Sequence, residues 1–137
     1  MAIPPMMNGV LPPGTYAATI SEVTATFNQP GSSTRPRLNT ALQHAASLIL
    51  SRDVTAIIYV NGSYVTDKLD PLDVDVAVRS DVWDDISFVA AFSAAYPGEE
   101  VLVDVFFNPT QSVQRMEELF REIQGRSAKK GIIQLVP

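Results

Sequence analysis

The sequence predicts an α/β (α+β) domain in which a mixed β-sheet is flanked by helices. Short apolar segments rich in β-branched residues alternate along the chain with longer segments of helical periodicity. The length of 137 residues suits one domain that buries its own core, and it is short for two. An apolar fraction of 46% with 18% charged residues is typical of a folded globular protein. These observations together indicate one packed domain of mixed secondary structure.

The chain divides into an N-terminal arm and this domain. Residues 1–14 are rich in proline and methionine and end in the turn LPPG, so they are expected to be extended. Residues 15–137 are expected to form the single domain. Its elements are predicted in the order α-α-β-loop-β-α-β-α-β.

Four segments are predicted to be helical. Thr19 and Glu22 have the spacing of a capping box, which predicts a short first helix. The second segment has the clearest amphipathic pattern of the chain. Asp81 is expected to start the third helix, and Thr110 to cap the fourth. The predicted helices cover residues 20–28, 38–52, 83–95 and 110–125.

Four further segments are predicted to be strands, at residues 55–60, 72–79, 100–107 and 131–137. The second of them, LDVDVAVR, alternates cleanly, with Leu72 and its alternate valines on one face and Asp73 and Asp75 on the other. The third, EVLVDVFF, has apolar residues on both faces and is therefore expected to be a central strand.

Composition excludes several classes of function. The chain has no cysteine, which excludes disulfides, thiolate metal sites and cysteine nucleophiles. A net charge of −5 argues against broad binding of duplex DNA. The single histidine, His44, lies in a predicted helix, which gives little support to histidine-based catalysis. No segment has the roughly 18 apolar residues of a membrane span, so no membrane contact and a cytoplasmic location are expected.

Three carboxylates are the strongest candidates for chemistry. Asp73 and Asp75 are two residues apart on one strand face, where their Cα atoms lie roughly 6.6 Å apart. Asp104 interrupts an apolar strand, where an unpaired carboxylate costs several kcal/mol unless it is protonated, paired or bound to a metal. If the two strands are neighbours, all three side chains converge. Oxygen ligands on rigid strands suit Mg²⁺ or Mn²⁺.

Gly62 and Ser63 follow an apolar strand and precede the Asp-x-Asp pair by about ten residues. Glycine allows the backbone to approach a ligand closely, and a serine hydroxyl can hold phosphate. Simpler interpretations are also open. Asp73 and Asp75 could be solvated and balanced by Arg79, and Asp104 could pair with Arg115, Arg121 or a backbone amide. Ser63 could cap a helix, and Lys129 and Lys130 could lie in a solvated turn.

The combination of GSY, DPLDVDVAV and the third aspartate in VLVDVFF resembles the signature of the nucleotidyltransferase fold shared with DNA polymerase β. More narrowly, LPPGTYAATISEVTATF, NGSYVTDKLDPLDVDVAV and FREIQGRSAKKGIIQLV resemble a family of small bacterial and phage proteins of unknown function. The resemblance covers most of residues 11–136. It implies a minimal nucleotidyltransferase-like fold.

The resemblance also implies roles for individual residues. Gly62 and Ser63 would contact the triphosphate of a nucleotide, and Lys130 would reach phosphate. Asp73 and Asp75 would hold Mg²⁺ or Mn²⁺. Asp104 would complete the metal site and help to activate the acceptor hydroxyl. An RNA or a protein is the expected acceptor of the nucleotidyl group.

Two hypotheses of function follow. The first is a metal-dependent transferase that moves a nucleotidyl group from a nucleoside triphosphate to a hydroxyl of RNA or protein, as small relatives do in toxin–antitoxin and phage-defence modules. The second is a catalytically inactive module of the same fold that binds a protein partner, as an antitoxin does, or a second copy of itself. The second rests on the small size, which leaves no room for an acceptor-binding domain, and on the N-terminal arm.

Overall fold

A computed structural model describes residues 3–108 and 131–137. Within these ranges the chain forms a five-stranded mixed sheet and three α-helices, which confirms the predicted α+β class. The predicted helix over 110–125 lies outside the described residues, as do Lys129 and Lys130. The strands are β1 Thr15–Ala18, β2 Ile57–Asn61, β3 Val74–Arg79, β4 Val103–Phe107 and β5 Ile132–Leu135. The helices are α1 Ile20–Thr26, α2 Arg35–Arg52 and α3 Asp85–Ala95, with 3₁₀ turns at Ser63–Val65 and Glu99–Val101.

The order of strands across the sheet is β1-β5-β2-β3-β4. The outer pairs β1–β5 and β3–β4 are parallel, whereas β2 is antiparallel to both of its neighbours. β4 is therefore an edge strand of the described sheet, and the expectation of a central strand is wrong. Apolar residues occur on both faces of β4 because each face of the sheet carries its own apolar cluster and β4 contributes to both clusters.

The main core lies between one face of the sheet and the helices. Buried residues of α1, α2 and α3 meet the valines of β3 and the apolar side chains of β4 there. On the opposite face Tyr59, Ala77 and Ile132 are buried together, with Ile57 and Phe106 packed against them. Because side chains alternate along a strand, Asp75 lies on this second face beside Ala77. The second face therefore carries the acidic residues of the sheet.

Local sequence signals explain the residues at which α1 and α2 begin. The capping box at α1 is present, with Thr19 N donating to Glu22 Oε1 at 2.9 Å and Glu22 N donating to Thr19 Oγ1 at 3.1 Å. α2 begins three residues earlier than expected, at Arg35, because proline is compatible with the first helical turn.

The third helix begins at Asp85 after the N-cap Asp84, so the prediction that Asp81 starts it is wrong. The side chain of Ser80 explains the difference. Its Oγ accepts hydrogen bonds from the amides of Val82 and Trp83, both at 3.1 Å. These bonds hold a turn ahead of the helix, and they leave Asp84 as the first residue able to accept from the helical amides.

The N-terminal segment packs against the domain from residue 3 onward. Leu11 is fully buried in the main core, and Val10 forms a β-bridge with Thr66. The carbonyl of Gly9 accepts from Asp67 N at 3.1 Å. β1, which was not predicted, continues this segment and pairs with β5 along its four residues. The N-terminal residues therefore lie against the loop that connects β2 with the acidic strand.

Candidate metal and nucleotide site

The parallel pairing of β3 with β4 brings the acidic residues together. Asp75 and Asp104 are partners in the register of the two strands, and Asp73 immediately precedes β3. Each of the three residues offers one carboxylate oxygen, and these oxygens all lie within 4.8 Å of one another. The expectation that neighbouring strands would bring the three aspartates together is therefore confirmed.

Asp104 is the most exposed of the three carboxylates, whereas Asp73 and Asp75 are half-buried. The apolar neighbours of Asp104 in β4 do not bury it, because this side chain on the edge strand of the described sheet is open to solvent. Partial desolvation still raises the pKa of Asp104, and the nearby charge of Asp73 raises it further. The three carboxylates thus repel one another, and a cation between them would relieve that repulsion.

The chemistry of the donor set fits a hard divalent cation. All three groups offer oxygen, the ligand atom that Mg²⁺ and Mn²⁺ prefer. Two oxygens bound to one Mg²⁺ lie at most about 4.2 Å apart, since each bond is about 2.1 Å long. The arrangement is therefore near the size required.

Gly62 is required next to this cluster for a steric reason. Its backbone has φ 85° and ψ −168°, a conformation that is essentially restricted to glycine. A Cβ atom at this position would overlap Oδ2 of Asp75. The Asp75 carboxylate therefore leans toward the end of β2, where only the absence of a side chain admits it.

Ser63 begins the 3₁₀ turn that follows Gly62, and its side chain is half-buried. The N-cap of this turn is Gly62, and the turn has no side-chain cap, so the reading of Ser63 as a helix cap is wrong. The carbonyl of Ser63 accepts from Thr66 Oγ1 at 2.6 Å and from Thr66 N at 3.2 Å. Ser63 is thereby held beside the start of β3.

Sequence reasoning missed Arg35, which organises the connection between β2 and β3. This side chain is fully buried, and it donates five hydrogen bonds, each between 2.7 and 3.2 Å, to four backbone carbonyls. Burial lowers the pKa of the guanidinium, while Tyr64 and the charges of Asp67 and Asp70 oppose that effect. Three of the carbonyls belong to the loop between Ser63 and Asp73, so Arg35 fixes that loop. The four carbonyls are those of Phe27, Tyr64, Thr66 and Lys68.

Sequence reasoning also missed Asn61, the last residue of β2. It is fully buried, and neither Oδ1 nor Nδ2 of its amide has a hydrogen-bond partner. An unpaired polar group in such a position costs about 1–3 kcal/mol. Asn61 is the register partner of Asp75 in the antiparallel pair, so both side chains lie on the same face of the sheet. No sequence signal distinguishes this asparagine from one in a turn ahead of glycine.

The model of a protein family matches residues 4–136 of the chain. The chain belongs to DUF6932, a family of unknown function. No curated protein and no solved structure matches this DUF6932 chain. In the ranges 3–108 and 131–137 of the DUF6932 protein, no helix has the length and apolar character needed to cross a membrane.

Replacement of Asp104 by asparagine is expected to raise the melting temperature of the metal-free protein at pH 7. The pKa of Asp104 is raised in the folded state, so its ionised form opposes folding above that pKa. The stability of the wild type therefore increases as the pH falls through the pKa that Asp104 has in the folded protein. We expect the advantage of Asp104→Asn to vanish below about pH 3.9, the value of an unperturbed aspartate. Thermal melts across pH 3 to 8 in EDTA measure this effect.

Asp81→Asn is the matched control, because Asp81 is an exposed carboxylate just beyond the opposite end of β3. Because this side chain is exposed, its replacement should leave the melting temperature at pH 7 close to that of the wild type. A lower melting temperature for Asp104→Asn at pH 7 would contradict the assigned repulsion.

Proposed function

We propose that this protein is a minimal metal-dependent nucleotidyltransferase, which transfers a nucleotidyl group from a nucleoside triphosphate to a hydroxyl of RNA or protein. The observation that carries the proposal is the convergence of Asp73, Asp75 and Asp104 beside the Gly62–Ser63 turn. A carboxylate cluster next to a backbone that admits close approach suits a cation–phosphate ligand. The family match leaves the activity open, so this function rests on the site itself.

The three aspartates would hold Mg²⁺ or Mn²⁺, which would neutralise phosphate charge and orient the reacting groups. Ser63 would contribute its hydroxyl to the triphosphate, and Gly62 would give the ligand room. Asp104 would accept the proton of the acceptor hydroxyl, because it is the most exposed of the three carboxylates. The acceptor oxygen bonds to the α-phosphorus, the bond to the bridging oxygen breaks, and pyrophosphate leaves.

Mn²⁺ binding and transfer of labelled nucleotide test this proposal. The wild type should bind Mn²⁺ and label an acceptor from a panel of total RNA and co-purified protein. Asp73→Asn with Asp75→Asn should weaken Mn²⁺ binding at least tenfold, because two of the three carboxylates lose their charge. Asp81→Asn should bind Mn²⁺ as the wild type does. Absence of either Mn²⁺ binding or nucleotide binding by the folded wild type would overturn the proposal.

A second candidate is a catalytically inactive module that binds a protein partner. It is favoured by an apolar row on and before α3, where Val82, Ile86 and Val89 are 56%, 83% and 53% exposed. Ile86 and Val89 are three residues apart and therefore lie on one side of α3, whereas Val82 lies in the turn that precedes the helix. The assays above separate the candidates, because an inactive module would transfer no nucleotide whether or not it binds Mn²⁺.

A further inference from the structure

Asn61 has no part in the chemistry proposed above, yet it lies directly beside the carboxylate site. Across the sheet, Asn61, Asp75 and Asp104 are consecutive register partners on β2, β3 and β4. The Asp75 carboxylate leans toward β2 and occupies the space where Gly62 lacks a Cβ. Gly62 is the residue that follows Asn61, so the carboxylate and the buried amide are close neighbours.

The amide of Asn61 differs from that of the other buried asparagine in the described ranges. Asn39 in α2 is 9% exposed and has partners, since its Oδ1 accepts from Tyr64 Oη and its Nδ2 donates to Asn28 Oδ1. Asn61 has none, although it is more deeply buried. A leucine of similar shape would fill the same space without this cost, so folding alone does not account for an amide here.

We infer that Asn61 is a positioning residue for the metal site: its Nδ2 donates a hydrogen bond to the Asp75 carboxylate when that carboxylate binds a divalent cation. The inference rests on the proposed function, because it needs a cation held by the three aspartates. A carboxylate bound to a cation through one oxygen keeps acceptor capacity on the other. Hydrogen bonds to metal-bound carboxylates fix their orientation, and their loss typically weakens metal binding 10–100-fold.

The chemistry of the side chain supports this assignment. An amide can donate to a carboxylate, whereas an aspartate at the same position would add a fourth negative charge to the cluster. The role also suits the complete burial of Asn61. A residue that acts through Asp75 does not need to reach solvent or substrate.

Comparison of Asn61→Leu with Asn39→Leu tests the inference through two readouts on the full chain. The first is the melting temperature in EDTA, and the second is the Mn²⁺ dissociation constant from paramagnetic resonance. Asn61→Leu should melt at or above the wild-type temperature and bind Mn²⁺ at least 10-fold more weakly. Asn39→Leu should melt at a lower temperature and bind Mn²⁺ within twofold of the wild type, because the hydrogen bond it loses to the Tyr64 hydroxyl belongs to the main core and not to the sheet face of the aspartates.

Each other outcome has a defined meaning. Wild-type Mn²⁺ affinity in Asn61→Leu would overturn the positioning role and leave the proposed function standing. A melting temperature that falls as far as that of Asn39→Leu would assign the amide to folding and also overturn the role. If Asn61→Leu does not fold, the smaller Asn61→Ala provides the affinity comparison. Failure of the wild type to bind Mn²⁺ would overturn the proposed function and this inference together.

Discussion

Replacement of Arg35 by methionine is expected to lower the free energy of unfolding by about 4 kcal/mol. Methionine has a similar length, but it leaves the carbonyls of Phe27, Tyr64, Thr66 and Lys68 without the guanidinium that binds them. Buried carbonyls that lose their donor carry a desolvation penalty. The variant no longer has to bury the charge of the guanidinium, but this gain offsets only part of that penalty. Urea denaturation followed by circular dichroism measures the change.

Arg37→Met is the matched control for this prediction, because Arg37 lies in the same turn of α2 and is exposed. Its effect should stay within about 0.5 kcal/mol. Arg35→Lys keeps the charge but lacks the planar fork of five donors, so it should lose about 2 kcal/mol. Equal stability of Arg35→Met and Arg37→Met would contradict the role of Arg35 in fixing the loop.

Gly62→Ala is expected to lower the free energy of unfolding by about 3 kcal/mol and to abolish Mn²⁺ binding. Two costs combine in this variant. The backbone conformation, with φ 85° and ψ −168°, strains any residue with a side chain. The new methyl group would also overlap Asp75 Oδ2, so the carboxylate must leave its position beside the other two. Denaturation and Mn²⁺ titration of the same sample report both effects.

Gly31→Ala is a control for a positive φ without a steric overlap, because Gly31 has a φ of 86° and no atom within 4 Å of an added Cβ. It should lose about 1 kcal/mol and keep wild-type Mn²⁺ binding. Combining Gly62→Ala with Asp75→Ala should cost less than the sum of the single changes, since the overlap with the carboxylate is then removed. Strict additivity would contradict the steric account of Gly62.

Part of the acidic site was predictable because the determinants of the Asp73–Asp75 pair are local. The alternation of LDVDVAVR places Asp73 and Asp75 on one face, and a parallel neighbour then places Asp104 beside them. The sequence did not predict the position of β4 at the edge of the described sheet. A central strand has apolar residues on both faces, and so does an edge strand that contributes to an apolar cluster on each face of the sheet. The sequence pattern is therefore the same in both cases.

The residues that sequence reasoning missed depend on contacts between distant segments. In the sequence Arg35 falls in a polar, proline-containing segment ahead of the predicted helix, and nothing nearby indicates that carbonyls 29 to 33 residues later surround it. β1 has only four residues, and its pairing with β5 joins segments more than 100 residues apart. The role of Asn61 depends on its register with Asp75, which a single strand does not reveal.

The position of β5 has a consequence for biosynthesis. This strand lies between β1 and β2, although it follows every other described strand in the chain. Until residues 132–135 leave the ribosome, β1 lacks its partner among the described strands, and the edge of β2 that pairs with β5, including the apolar residues Ile58 and Val60, lacks that partner too. Unpaired apolar strand edges promote association between chains. The nascent protein is therefore vulnerable to aggregation until β5 has left the ribosome, and chaperone binding would protect it during that period.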